Sequence, residues 1–260
     1  LGQSSFYAFR TRYAVMITAS AAGGTHKFQK IVKFRNLEQL GKLVSPHSYR
    51  ILKKDCLDLP DKVFTKRDIE LSEEQQKAYQ EMKANAMTVL KDKSMTAVNV
   101  LTQLIRLHQI TCGHMKTDDD EVIELKNNRL NELMQILGET TGKVIIWANY
   151  IHDIHTIEKA IKEEFGSQSY CTYYGGTKQE DRQACITKFQ DKLNPIRFFI
   201  GNTQTGGYGI TLTQASTVIY YSNNYDLEKR MQSEDRAHRI GQKNKVLYID
   251  LVAKGTVDEK

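Results

Sequence analysis

Two segments of this chain carry residue types that can hold a phosphate. The first is QSEDRAHRIGQ, residues 232–242. Arg236 and Arg239 stand three residues apart, so on a helix they share one face. Two guanidinium groups on one face grip phosphate oxygens through paired, charge-assisted hydrogen bonds. The same spacing suits a solvated surface on which these arginines pair with Glu228, Glu234 or Asp235, and spacing alone leaves both readings open. The second segment is GNTQTGGYG, residues 201–209, directly after a short apolar run. Small residues let backbone amides approach a phosphate closely, and a following helix start adds its positive end. A Gly-rich loop can equally be a plain turn. It is not a Walker A loop, because GxxxxGK followed by Ser or Thr occurs nowhere in the chain.

Both segments need elements to hold them, and from residue 128 onward the pattern is regular. A helix is predicted over 129–137, stopping at Gly138, then an apolar strand over 144–148 and a helix over 152–165 that ends at Gly166. A strand follows over 170–174. Thr177-Lys-Gln-Glu180 has capping-box spacing and opens a helix to 190. Strands over 196–200, 217–221 and 246–252 follow, with a helix over 227–237 between the last two. Short apolar strands alternating with helices imply an α/β fold whose parallel sheet is covered on both faces. Ligands of such sheets sit beyond the carboxyl ends of the strands, so the loops after Ala148, Tyr174, Gly201 and Tyr221 share the candidate functional edge.

Upstream the periodicity is mixed. Gly23-Gly24 and residues 44–47 mark turns, a helix is expected over 37–43, Leu59-Pro60-Asp61 reads as a linker, and 63–71 as an extended strand. Ser72-Glu-Glu-Gln75 has capping-box spacing for a helix to about 90, and a second helix over 95–112 stops at Gly113. The acidic run 118–121 reads as a solvated loop rather than a magnesium site. His108, Cys112 and His114 are close in sequence, but zinc needs a fourth ligand and none stands nearby, so a helix end with a partly buried thiol is expected.

Residues 1–64 hold eleven basic and four acidic residues, against 26 and 27 in the remainder. Lys27, Lys30 and Lys33 lie there among Phe6, Tyr7, Phe9, Tyr13, Phe28 and Phe34. Basic residues interleaved with aromatics can track a phosphate backbone and stack on bases, or form a solvated basic face beside a small core. A length of 260 residues allows one large domain or two small ones. The apolar runs are far shorter than the roughly 20 residues a membrane span needs, and no signal-peptide pattern opens the chain. The missing initiator Met points to a fragment or a processed chain. Cys56, Cys112, Cys171 and Cys185 form no CxxC pair, which suits four reduced thiols in a cytoplasmic protein.

DRAHRIGQ, preceded by Gln232, resembles motif VI of the Swi/Snf-type branch of the superfamily two helicases. TGGYGITLTQA, residues 205–215, is similar to their motif V, and KVIIWANY, residues 143–150, to motif IV. YGGTKQEDRQACITKF, residues 174–189, resembles the adjoining segment. These blocks stand in family order across about 130 residues. LPDKVFTKRDIELSEEQQKAY, residues 59–79, and LTQLIRLHQITCGH, residues 101–114, resemble the family's passage into its second half. The opening LGQSSFYAFRTRY looks like the stretch beyond motif III, in the style of small bacterial or phage members.

The resemblance implies a motor of two RecA-like lobes, of which this chain is the second with a tail of the first. Residues 1–64 would be that tail and a linker, 65–127 a helical segment joining the lobes, and 128–260 the second lobe. ATP and Mg2+ would be bound mainly by the first lobe, a partner along with DNA, and the chain alone would not hydrolyse ATP. Arg236 and Arg239 match the family's arginine fingers, which stabilise the transferred phosphoryl group. Gln232, Gly206, Gly207 and Gly209 match positions near the nucleotide, and Thr203 a DNA phosphate contact. Asn149, Tyr150, Gly175 and Arg182 are at matching DNA-binding positions. The resemblance places the two arginines at the sheet rim near the carboxyl end of strand 217–221, pointing outward. Departures are Gln204 for the motif V arginine, Tyr225-Asp226-Leu227 for Trp-Asn-Pro, and Arg230 where an acid is common. A non-enzymatic nucleic-acid-binding module on the same scaffold and a small-molecule enzyme with a nucleotide-type fold are the competing readings.

Overall fold

The computed structural model describes residue 2 and residues 5–20, 27–49, 51–91, 97–117, 119, 121–207 and 209–259. The chain divides into two units between Leu57 and Asp58.

The small unit contains α1 (Phe6–Tyr13), β1 (Ala14–Ser20), β2 (Lys27–Phe34), α2 (Leu37–Val44) and α3 (Lys53–Cys56). Ser5 caps α1, its hydroxyl accepting from the Ala8 amide at 3.2 Å. β1 and β2 form an antiparallel hairpin whose register shifts between Val15 and Met16. That bulge sets Lys33 opposite Val15 and Lys30 opposite Ile17, on one face, whereas Lys27 pairs with Ser20 on the other. The three lysines therefore do not form one row. The Gly23-Gly24 turn lies outside the described residues.

The large unit runs β3 (Lys62–Ile69), α4 (Glu73–Lys91), α5 (Ala97–Cys112), β4 (His114–Lys116), β5 (Val122–Glu124), α6 (Asn128–Glu139), β6 (Lys143–Trp147), α7 (Ile151–Phe165), β7 (Tyr170–Tyr173), α8 (Gln179–Gln190), β8 (Phe198–Gly201), α9 (Thr203–Gly206), β9 (Ala215–Tyr220), α10 (Leu227–Ala237) and β10 (Val246–Ala253). Six strands form one parallel sheet in the order β3-β10-β9-β6-β8-β7. Successive side chains of a strand point to opposite faces. Val144 and Ile146 accordingly pack with Phe198, Ile200 and Ile219 against α6 and α7, while Ile145 and Trp147 pack with Phe199, Val218 and Tyr220 against α8 and α10. Burial on both faces is why these strands read as unbroken apolar runs. β3 belongs to this sheet and runs across residue 64, where the sequence suggested a boundary.

The capping box at Ser72 forms as expected: the Ser72 amide donates to Gln75 Oε1 at 3.1 Å and the Gln75 amide to Ser72 Oγ at 3.2 Å. The one expected at Thr177 does not. Lys178 is the N-cap of α8 and makes no side-chain cap, because the Thr177 hydroxyl is used in the turn out of β7, donating to Thr172 O and accepting from the Tyr174 amide. The acidic run lies between β4 and β5, an antiparallel pair that the sequence did not suggest, with Asp119 and Glu121 exposed; Asp118 and Asp120 lie outside the described residues. So does Met95, the expected start of α5. The expectation of four reduced thiols is also corrected, since Cys171 of β7 and Cys185 of α8 are joined in a disulfide and only Cys56 and Cys112 are free.

Candidate functional site

The candidate residues fall at two places on the sheet. At the carboxyl edge the loops after β6, β7, β8 and β9 are bonded together. Asn202 is central: its Nδ2 donates to Ala148 O at 3.1 Å and Asn149 O at 2.7 Å, its Oδ1 caps α9 through the Gln204 amide at 2.8 Å, and its amide donates to Tyr173 O at 3.2 Å. The Asn149 amide donates to Ser222 Oγ at 2.8 Å, and that hydroxyl donates to the buried Asp153 carboxylate at 3.2 Å. Asn224 Nδ2 donates to Thr203 Oγ1 at 3.3 Å. Arg182 Nη2 donates to Tyr174 O at 2.9 Å and to Gly175 O at 2.8 Å, so this guanidinium braces the loop after β7. Tyr150 turns inward, its hydroxyl 2.9 Å from His108 Nδ1, and burial raises the pKa of that phenol.

Arg236 and Arg239 lie elsewhere. In an α/β unit the helix after a strand runs back antiparallel to it. α10, eleven residues long, returns from the carboxyl end of β9 to its start; at 1.5 Å per residue it covers about 16 Å, close to the length of a six-residue strand. The pair therefore sits beside the amino end of β9, not the carboxyl end. Arg236 O accepts from the Leu212 amide at 2.9 Å. Arg239 is past the C-cap His238 rather than on the helix. The two guanidinium groups nevertheless converge, both donating to Ile210 O, at 3.2 Å from Arg236 and 3.4 Å from Arg239. Gln242 holds the turn, its buried Nε2 donating to Thr213 O, Ala215 O and Ala237 O.

Among the described residues neither arginine forms an ion pair. The acids that could have paired with them are engaged elsewhere: Glu234 with Lys62 and Arg230, each at 2.9 Å, Asp235 with Lys62 at 3.4 Å, and Glu228 with Gln232 Nε2 at 2.8 Å. Burial, and then the neighbouring Arg239, lower the pKa of the half-buried Arg236. The adjacent Gln232 Oε1 is buried and finds no donor among the described residues. Two cations held together on one carbonyl suit an anionic ligand.

The segment 201–212 runs between the two places. The Gly206 amide donates to Asn202 O and the Gly207 amide to Thr203 O, so both are used within the turn and are not free for a phosphate. What requires glycine at 206 is packing: an added Cβ would stand 2.7 Å from the Trp147 ring. Gly209 has φ +70° and open space around it. Thr203 is buried. Lys27, Lys30 and Lys33 are exposed on the small unit.

The family of helicase conserved C-terminal domains matches residues 125–241. The chain is 30% identical over 94% of its length to a CHD3-type chromatin-remodeling factor of Arabidopsis thaliana, covering 21% of that protein. It is 29% identical over 90% of its length to an uncharacterized ATP-dependent helicase of Mycoplasma genitalium, covering 23%. It thus spans about a fifth of the length of these relatives. Among solved structures, the Sulfolobus solfataricus SWI2/SNF2 ATPase core in complex with dsDNA superposes with a TM-score of 0.63 at 27% identity, over 85% of this chain and 48% of that one. The C-terminal part of the Fun30 ATPase domain gives a TM-score of 0.64 at 19% identity, over 78% of this chain and 88% of that one, which is a likeness of fold. Residues 125–241 are thus a helicase conserved C-terminal domain, and the chain is similar to the second RecA-like lobe of the Swi/Snf-type branch of superfamily two.

In this helicase C-terminal domain the largest contribution that residue types did not reveal is Arg129, 1% exposed at the start of α6. Its guanidinium donates to Thr111 O, Tyr221 O, Leu251 O and the Asp258 carboxylate, joining four separate segments. Asn202, Ser222 and Gln242 were also missed. Asn202 alone carried a local signal, as an Asn directly before a short helix. The His108, Cys112 and His114 group takes separate partners. His108 faces Tyr150, His114 Nδ1 lies 3.1 Å from Asp153, and burial raises the pKa of the Cys112 thiol. Among the described residues no His, Cys, Asp and Glu side chains gather as a metal site, and no helix is long and apolar enough to cross a membrane.

Proposed function

We propose that this lobe is the C-terminal half of a DNA-dependent ATPase that couples ATP hydrolysis to movement along DNA. The observation that carries the reading is the pairing of Arg236 and Arg239 on Ile210 O with no carboxylate partner among the described residues. Two guanidinium groups kept from acids retain N–H donors for phosphate oxygens presented by a facing lobe. ATP would supply the transferable phosphoryl group and Mg2+ the neutralisation of its charge. The residues present fit a supporting role toward that group and not a cradle for it. They offer two cations and no Walker A sequence. Arg236 and Arg239 act as fingers on the transition-state charge.

The carboxyl-edge loops are the proposed DNA face. The Asn149 backbone and Thr203 are held there by Ser222, Asn202 and Asn224, and Gly175 is held by Arg182. Positions fixed in this way suit backbone phosphates, which are read by geometry and charge rather than sequence. The name of the Mycoplasma relative and the DNA-bound Sulfolobus structure support this reading. The small unit carries the end of the first lobe, and residues up to 127 join the lobes.

The test is DNA-stimulated ATP turnover by a polypeptide that contains both lobes. The Arg236→Ala, Arg239→Ala double variant should fall to near background while duplex affinity stays within a few-fold. Near-normal turnover would remove the catalytic role and leave a DNA-binding module.

A further inference from the structure

The edge strand β7 carries a feature that the motor does not use. β7 has one neighbour in the sheet, β8. The disulfide ties Cys171 of β7 to Cys185 of α8 with Cα atoms 5.6 Å apart, an ordinary spacing for a bridge. The 14-residue separation it spans includes the loop at residues 174–178 and Arg182. Without the bridge that loop is held by the two Arg182 bonds and by the Thr177 hydroxyl and amide. Both bridged cysteines line an open cavity of about 490 Å³, with Tyr174, Thr177, Lys178 and Asp181 among its walls. Cys171 is half-buried and Cys185 is 4% exposed. Neither free thiol, Cys56 or Cys112, is among the described residues that line this cavity.

We propose that Cys171 and Cys185 form a thiol–disulfide exchange site for a small thiol of the glutathione class, and that opening the bridge loosens the loop at 174–178. Because Gly175 lies on the proposed DNA face, the consequence for DNA rests on that reading. The incoming thiolate enters the cavity and attacks Sγ of Cys171, the more exposed of the two residues. The sulfur–sulfur bond breaks, its electron pair goes to Cys185 Sγ, and that thiolate takes a proton from water. A second small thiolate attacks the small-molecule sulfur of the mixed disulfide, releasing the Cys171 thiolate, which is protonated in turn. Two small thiols become one disulfide, and the bridge takes up two electrons and two protons. Opening restores to an edge segment the conformational freedom that ring closure removes. Arg182 and Thr177 still tether the loop, so it becomes looser without detaching.

The experiment uses the chain with Cys56→Ser, which excludes bridging between molecules, equilibrated in mixtures of reduced and oxidised glutathione. Thiol labelling reads the bridge, hydrogen exchange reads the Tyr174 and Thr177 amides, and anisotropy reads affinity for a DNA duplex. The bridge should titrate with the mixture, and opening it should speed exchange of those amides about tenfold, the behaviour of a locally loosened segment. Duplex affinity should fall roughly three- to tenfold as the phosphate-facing loop loses order. A Cys171→Ala, Cys185→Ala variant should show the open values in every mixture, while the unmutated pair reports both states without relying on that variant. A bridge that forms in no mixture, or amides that exchange alike in both states, overturns the proposal. Equal duplex affinity in both states, with the amides responding, overturns the consequence for DNA and removes the loop from the DNA face. If amides respond but no duplex binds in either state, the exchange site stands and the DNA reading fails.

Discussion

Arg236 and Arg239 are kept from nearby acids because Lys62, Arg230 and Gln232 occupy those acids first. In the two-lobe protein an arginine finger is worth about 10³–10⁵ in turnover, or roughly 4–7 kcal/mol at the transition state. Arg239→Ala should lose most of that while duplex binding is nearly retained. Arg239→Lys should recover little, since a point charge cannot reproduce a planar fork that also keeps its bond to Ile210 O. Single-turnover kinetics separate this loss from slower nucleotide binding. Gly206 gives a second residue-scale expectation. A methyl group there meets the Trp147 ring in a core with no slack, so Gly206→Ala should cost about 1–3 kcal/mol in denaturant unfolding. Gly209→Ala meets open space and should cost only the positive φ, on the order of 1–2 kcal/mol.

At the scale of elements, Arg129 and Asp258 close the carboxyl side of the large unit. Burial raises the Asp258 pKa, but the adjacent Arg129 charge and the hydrogen bonds from Arg129 and Ala253 more than offset this and hold it below the usual carboxylate range. Removing one partner strands a buried charge, so Asp258→Ala should cost roughly 3–5 kcal/mol. His108, beside it, has its pKa lowered by burial, with Arg129 adding to the effect. The folded state then binds fewer protons than the unfolded state below the ordinary histidine value of about 6.5, so stability falls as pH drops through that region, by at most about 1.4 kcal/mol per pH unit. The Asp258 contribution is fully present above about pH 3.9 and is lost only as pH falls through its depressed value. Urea unfolding between pH 7.5 and 5 should therefore show an acid slope that His108→Gln flattens, whereas the Asp258 loss appears only at lower pH. An equal slope in both proteins would remove His108 from the account.

For the whole molecule, these 260 residues hold cations for a phosphate but no Walker A sequence. The chain as given should turn over ATP at background, because positioning of the phosphates supplies most of phosphoryl-transfer catalysis. DNA-stimulated turnover from a clean preparation, abolished by one substitution within the chain, would mean that the active site is misassigned. Duplex binding should be weak, insensitive to sequence and steep in salt. The hairpin register splits the basic residues: Lys30 and Lys33 share a face and Lys27 lies opposite. Lys30→Gln with Lys33→Gln should lower the salt slope by about 1–2, at ~0.9 per phosphate contact, and Lys27→Gln should be the lesser change. An unchanged slope in the double variant identifies that face as merely solvated.

Most elements of the large unit were legible because each is specified locally; the β4–β5 pair and the short α9 were not. The start of α10 at Leu227 follows from its Asp226 cap, and the central strands from residues buried on both faces. The family motifs were legible for the same reason, being contiguous. What tertiary structure decided was every choice made between distant segments. Spacing left open whether the acids near motif VI pair with its arginines, but Lys62, 172 residues from Glu234, takes that carboxylate instead. The glycines could be read as a phosphate approach or as a plain turn, and Trp147 of β6 accounts for Gly206. The resemblance had placed the arginines at the carboxyl end of β9, but α10 carries them back to the strand's amino end. Cys171 and Cys185 looked like separate thiols until an edge strand and its covering helix brought them together. Sequence spacing encodes what lies within a few turns of chain, whereas partners across the sheet are set by packing of the whole core.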